Sequence, residues 1–449
     1  MTRVDPARRA AFDALRAVEE RGAYLNITLP GLLRERGLSG RDAAFATELV
    51  YGSVRLRGSY DPVLAACLSR PLAELDAGVR EVLRLGTHQL LGMRIAPHAA
   101  VSTSVDLVRD AAGHRPVSLV NAVLRRVAER SLADWFDAVI PADAEPLDRL
   151  AITHSHPRWI VQALHEAAGG DLAATAALLA ADNTAPQVTL AARPGRCDVT
   201  ELLAAGAVAG RWSPYAAVLP AGDPGSLAAV REGRAGVQDE GSQLVALAVA
   251  AAQVAGPDRR WLDLCAGPGG KAALLAGLAG RVGARLLAAD RAPHRAGLAA
   301  AALARAGGVL GVVAADATRP PWPSGGFDRV LADVPCTGLG ALRRRPEARW
   351  RRRPDDLATL QTLQRRLLHA AVDAVRPGGV AVYATCSPHP AETSEVVDAV
   401  LAERTDVQLA DARPLVPEVS SVGAGPYVQL WPHVHATDAM FFALLRRCA

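Results

Sequence analysis

The stretch Asp263-Leu264-Cys265-Ala266-Gly267-Pro268-Gly269-Gly270-Lys271 constrains the fold more than any other part of the chain. An apolar run, Trp261 to Leu264, leads into it and predicts a short buried strand. Three glycines and a proline then force a tight turn, and Ala272 to Ala276 opens a helix. A strand, a Gly-rich turn and a helix bring backbone N–H groups and a helix N-terminus up to a nucleotide-like ligand. The bland alternative is a βα turn that only connects. Three phosphate-binding patterns fail on the residues. The dinucleotide fingerprint lacks its third glycine, and the P-loop pattern meets Cys265 and Ala272 where it needs Gly and Ser/Thr. A kinase loop needs a downstream strand lysine, and Lys271 is the only lysine in the chain. The expected ligand is a nucleoside without a polyphosphate.

A chain of 449 residues implies two or three domains. Half the residues are apolar, enough for a substantial core. The Ala-rich apolar runs are interrupted by Arg, Gly or Asp, so no transmembrane segment is expected. The N-terminal residues lack an apolar signal region. Six cysteines in a chain this long do not make a disulfide framework. A cytoplasmic protein with thiols available for chemistry is expected. The net charge is only +4, almost all of the basic charge being arginine. Its densest cluster is Arg343-Arg344-Arg345, Arg349 and Arg351-Arg352-Arg353, with Trp350 inside. Arginines around an aromatic suit a nucleic-acid backbone and its bases; the plain alternative is a solvated loop.

Taken in order, residues 1–140 predict an antiparallel helical bundle, with helices over Arg8–Val18, Arg41–Leu56, Leu72–Leu91 (split near Gly78), Ala99–Ala112 and Val117–Arg130. Asn121, Arg125 and Arg126 fall on one helix, available to phosphates or simply exposed. Residues 141–232 predict a small α+β connector with a strand at Val188–Arg193. His154 and His156 there have no cysteine or carboxylate at ligand spacing, so capping or packing is expected and no metal site. Residues 233–449 alternate strands and helices, which predicts a parallel α/β sheet. Its strands are expected at Trp261–Leu264, Leu286–Asp290, Leu310–Asp316, Phe327–Asp333 and Val380–Cys386. Val428–Trp431 and Met440–Leu445 are expected to pair as an antiparallel edge.

Asp290, Asp316 and Asp333 each end a predicted strand, where an open α/β sheet binds its ligand. Asp290 is placed for ribose hydroxyls and Asp316 for an adenine amino group. Three such acids after a Gly-rich turn point to S-adenosylmethionine. Cys336 and Cys386 lie just past the fourth and fifth strands and face the same pocket. Carbon 5 of a pyrimidine is too weak a nucleophile to take a methyl group unaided; a thiolate adding to carbon 6 activates it. Asp333 supplies the acid at the N3 edge, or holds the donor's methionine end. Position alone does not decide which cysteine attacks, and the plain alternative for either is a buried structural thiol.

Residues Asp263 to Lys271, Asp333 to Gly338 and Thr385-Cys386-Ser387 resemble the motifs of the RsmB/Sun family of RNA 5-methylcytosine methyltransferases. Arg41 to Gly52, Arg84 to Leu91 and Val117 to Arg126 resemble the NusB-like RNA-binding domain that precedes them in that family. Gly267 and Val334 replace more usual alanines. The resemblance implies an α/β fold: a Rossmann-like methyltransferase domain preceded by an all-α NusB-like bundle and the small connector. It implies Cys386 as nucleophile and Cys336 as the cysteine that assists product release. It further implies that Cys265, Ala266, Gly267, Pro268, Gly269, Gly270, Lys271, Asp290, Asp316 and Asp333 bind S-adenosylmethionine, and that the substrate is small-subunit ribosomal RNA. A monomer without a membrane partner is expected. Pro335-Cys336 also looks like the catalytic pair of DNA cytosine methyltransferases. The runners-up are a tRNA cytosine-5 methyltransferase and, in another class, a non-catalytic NusB-like RNA-binding factor.

Overall fold

The computed structural model describes residues 4–448. By its internal contacts the chain divides into two units: the chain up to Thr184 together with Leu342–Arg351, and Ala185–Ala341 together with the chain from Arg352 onward.

The first unit is helical. Its opening helix, Pro6–Arg21, starts where the Asp5 carboxylate accepts the Arg8 N–H at 2.8 Å and stops at Gly22, whose φ of 61° continues no helix. Gly40–Arg55, Pro97–Ala112 and Val117–Val127 follow the expected periodicity. The third expected stretch does split near Gly78, at Leu75 and Asp76. The helix Ala77–Thr87 begins there, capped by Asp76, after a short turn at Leu72–Glu74. Within residues 5–130 two helices, Leu25–Glu35 and Arg57–Cys67, were not foreseen. Each contains a proline, Pro30 and Pro62, which reads as a breaker from sequence yet is accommodated once apolar faces pack. Leu15, Leu49, Val50, Leu64, Val82 and Leu124 share the core of this bundle. Helices Pro146–Thr153, Arg158–Ala167 and Leu172–Asp182 belong to the same unit.

The second unit opens with four antiparallel strands, β1 (Val188–Ala192), β2 (Val208–Ala209), β3 (Ala216–Leu219) and β4 (Ala235–Val237), in the order β2-β3-β1-β4. The main sheet contains β5 (Arg260–Asp263), β6 (Arg285–Asp290), β7 (Val309–Ala314), β8 (Phe327–Asp333), β9 (Val375–Thr385), β10 (Val407–Ala410), β11 (Val428–Gln429) and β12 (Phe441–Arg447). The order is β10-β12-β9-β8-β5-β6-β7. β5 to β9 are mutually parallel, and β12 runs antiparallel to β9. β11 pairs antiparallel with β12 as expected. β12 is not an edge, however: it lies between β9 and β10, the latter only four residues long and too short to read as a strand. Alternate side chains of β9 divide between two apolar clusters, Val380, Val382 and Ala384 in one, Ala381 and Tyr383 in the other. Both faces of the sheet are therefore covered, as a parallel sheet requires. Chain direction reverses its progress across the sheet between β5 and β8, and ligands of such sheets bind at that switch, beyond the strands' carboxyl ends.

Candidate active site

The Gly-rich turn leaves β5 at Asp263 and enters the helix Gly270–Arg281. Gly269 has φ 92°, and a Cβ there would stand 2.8 Å from the Ala299 backbone, so no other residue fits the turn. Asp290, at the end of β6, accepts the Gly267 N–H at 3.0 Å and the Ala292 N–H at 2.8 Å. It therefore braces the turn. Asp316 lies two residues beyond the end of β7, its Oδ1 taking the N–H and hydroxyl of Thr318 at 2.9 and 2.7 Å. These bonds hold its carboxyl below the usual range. Cys265, Asp316, Thr318, Pro335 and Leu367 line a cavity of about 340 Å³, the size of a small-ligand site.

Lys271 joins this turn to β8. Its ammonium lies 2.8 Å from Asp333 and 3.3 Å from the Ser242 hydroxyl. Burial alone would lower its pKa; Asp333, then Cys386 and Asp263, more than offset this and raise it. Asp263 is buried at the end of β5, a fourth acid at a strand end. Its Oδ1 accepts the Cys265 N–H at 3.3 Å and its Oδ2 has no protein partner. Burial, then Asp333, push its carboxyl up to about 7, with Lys271 opposing. The strand-end rule that picked out the other three acids applies to it equally.

The two cysteines meet. Cys336 Sγ and Cys386 Sγ are 3.3 Å apart, and the six cysteines form no disulfide. The contact with Cys386, then burial, push the Cys336 thiol well up; either sulfur can donate in the contact. Cys265 is held protonated by burial and then by Asp263 and Asp333, so it is no competing nucleophile. Around the pair lies a polar layer that sequence reasoning missed: Glu392, Gln364, Thr337 and Ser387, all buried.

The arginine cluster is corrected by the structure. Arg349 is fully buried in the helical unit. Its guanidinium donates to the carbonyls of Arg55, Ser155 and Asp182 at 3.0, 3.1 and 2.8 Å and to Asn183 Oδ1 at 2.7 Å. Trp350 Nε1 donates to the Val54 carbonyl at 2.8 Å, and Arg351 to that of Ala23. Arg352, in the other unit, donates to the carbonyls of Thr337 and Cys336 at 2.9 and 3.2 Å. Much of the stretch is thus internal structure rather than a solvated RNA face. Arg345 and Arg353 remain exposed. Arg125 and Arg126 are also exposed, with Asn121 bonded to Arg125 at 3.2 Å.

Residues 252–446 match the family described as 16S rRNA methyltransferase RsmB/F, and residues 5–129 match the NusB family. A ribosomal RNA small subunit methyltransferase B from Pseudomonas syringae is 35% identical, over 90% of this chain and 88% of its own. The chain belongs to the RsmB/F family of rRNA methyltransferases. A Mycobacterium tuberculosis relative, whose name goes no further than a methyltransferase, is 52% identical across 99% of this chain and 97% of its own. The crystal structure of PH0851 shares the fold, with a TM-score of 0.82 at 22% identity over 99% of both chains. As an RsmB/F enzyme the protein uses S-adenosylmethionine. The residues fit such a group: a small-molecule cavity with Asp316 in its wall, and a buried acid, Asp263, with one oxygen lacking a protein partner. No helix among the described residues is long and apolar enough to cross a membrane.

Asp290→Ala is expected to weaken cofactor binding about 10- to 100-fold, a loss of roughly 1.5–3 kcal/mol for charge-assisted hydrogen bonds. The structure adds a second route to that loss, since the Gly267 N–H loses its acceptor. Calorimetric titration decides it; wild-type affinity would move the ribose site elsewhere.

Proposed function

We propose that this enzyme methylates carbon 5 of a cytosine in 16S ribosomal RNA, in the cytoplasm and as a monomer, through a covalent bond between Cys386 and the base. The observation that carries this reading is the 3.3 Å contact between the two thiols at the ends of β8 and β9, beside the Lys271–Asp333 pair. Bound S-adenosylmethionine supplies an electrophilic methyl group. The Cys386 thiolate adds to carbon 6, and the displaced electron pair makes carbon 5 nucleophilic. Asp333, held by Lys271, serves the N3 edge. After transfer Cys336, its own proton given up to solvent, takes the carbon-5 proton, the returning electron pair restores the ring double bond, and Cys386 departs. Cys265 to Lys271 with Asp290, Asp316 and Asp333 hold the cofactor. The NusB-like bundle supplies RNA affinity, with Asn121, Arg125 and Arg126 as phosphate contacts. Relatives named as small-subunit methyltransferases support the 16S target.

Bisulfite sequencing of rRNA and tRNA from a deletion strain tests this reading. One cytosine of 16S rRNA should lose its protection and regain it on complementation. Loss confined to a tRNA would assign the substrate there instead.

A pH dependence follows from Asp263. Its raised pKa means that ionisation costs stability as pH climbs through about 7, the carboxyl being neutral below. The cationic cofactor favours the ionised form, so affinity should rise several-fold from pH 6 to pH 8. Asp263→Asn should flatten that slope. Calorimetry across the range checks it, and an affinity falling with pH would remove Asp263 from the cofactor site.

A further inference from the structure

Glu392 is completely buried, six residues beyond Cys386, in the short turn Pro390–Glu392. Its Oε1 accepts the Thr337 N–H at 2.8 Å and Gln364 Nε2 at 2.9 Å, and its Oε2 accepts the Thr337 hydroxyl. Thr337 follows Cys336. Its hydroxyl lies 3.2 Å from that of Ser387, which follows Cys386. Gln364 Nε2 also donates to the carbonyl of Pro335, the residue before Cys336, at 2.9 Å. The Tyr383 hydroxyl fixes the Glu392 backbone, donating to its carbonyl at 2.8 Å. One carboxylate is therefore bonded, directly or through one side chain, to the residues flanking both thiols. A buried carboxylate is costly to keep unless several donors satisfy it, and three donors converge on this one.

We propose that Glu392 is the positioning residue that sets the two cysteines against each other, with Thr337 and Gln364 as its intermediaries. It touches neither thiol. It fixes the loop Pro335-Cys336-Thr337 and the loop Cys386-Ser387 to one point, and so sets their separation. This rests on the two-cysteine reading above, because the alignment matters to catalysis only if both thiols act. Misplacing a reacting group by about 1 Å can cost roughly 100-fold in rate, so a buried tether two residues removed is enough to govern turnover.

Linking the thiols by oxidation reads their alignment without using methylation. Diamide removes two electrons and two protons from a neighbouring thiol pair, leaving a disulfide, and peptide mapping counts the Cys336–Cys386 link. The wild-type protein should link quickly. Glu392→Ala, and the near-isosteric Thr337→Val in case the first fails to fold, should link at least about ten-fold more slowly. Their methylation kcat should fall about 10- to 100-fold while cofactor affinity, the proof of folding, stays within about two-fold. Glu392→Gln should keep most of the linking rate, because the Thr337 hydroxyl can turn to accept from the amide. Wild-type linking rates in folded Glu392→Ala and Thr337→Val would overturn the proposal. So would a loss in Glu392→Gln as deep as in Glu392→Ala, which would make the charge the operative feature. Slow linking with unimpaired methylation would uphold the positioning role and refute covalent catalysis by these thiols.

Discussion

Cys386→Ala is expected to lower methyl transfer by at least about three orders of magnitude and to leave no protein–RNA adduct, whereas Cys336→Ala should accumulate one. The asymmetry comes from the division of the two steps. Removing the attacking thiol removes the bond to carbon 6, so carbon 5 never becomes nucleophilic. On the proposed mechanism, removing the other leaves attack and transfer intact but takes away the group that receives the carbon-5 proton, so the enzyme should stay attached. The two thiols lie 3.3 Å apart, as a division of labour on one base requires. A denaturing gel with labelled RNA reads both variants. An adduct in Cys386→Ala and none in Cys336→Ala would exchange the roles, as in the DNA-type enzymes. Methylation by both variants would end covalent catalysis through these residues.

The second large effect lies far from the chemistry in sequence terms. Arg349→Met is expected to destabilise the helical unit by about 3–5 kcal/mol, the cost of breaking a buried charged network from one side. Four acceptors, the carbonyls of Arg55, Ser155 and Asp182 and Asn183 Oδ1, lose their donor together. Burial pulls the Arg349 pKa down to about 9, so at neutral pH it remains a cation. For a unit of this size the loss corresponds to a fall in its melting temperature of roughly 6–20 °C. Differential scanning calorimetry measures it. An unchanged transition with a flattened salt dependence of RNA binding would return Arg349 to the role its sequence context suggested.

That contrast marks where sequence reasoning works. The placement of Cys265 to Lys271 in the turn and of Asp290 and Asp333 at their strand ends was legible, because a Gly-rich turn and an acid at the end of an apolar run are local patterns, set by backbone geometry within a few residues. Strand β8, Phe327–Asp333, was placed to the residue for the same reason. Arg349 was not legible, since arginines around a tryptophan look alike on a surface and in a buried anchor. Glu392 was not legible either, because its meaning lies in bonds to Thr337, 55 residues away. The position of β12 inside the sheet depends on pairing with β9 and β10, which no local period encodes. Asp263 was the avoidable omission: it ends β5 as the other acids end or follow their strands.

The most direct test is the identity of the product. Purified enzyme is incubated with 16S rRNA from a strain lacking it and with methyl-labelled S-adenosylmethionine, and the RNA is digested to nucleosides for mass spectrometry. Covalent methylation through Cys386 predicts one label per 16S molecule, recovered as 5-methylcytidine and absent with Cys386→Ala. Label recovered as any other methylated nucleoside, or 5-methylcytidine formed undiminished by Cys386→Ala, would contradict it.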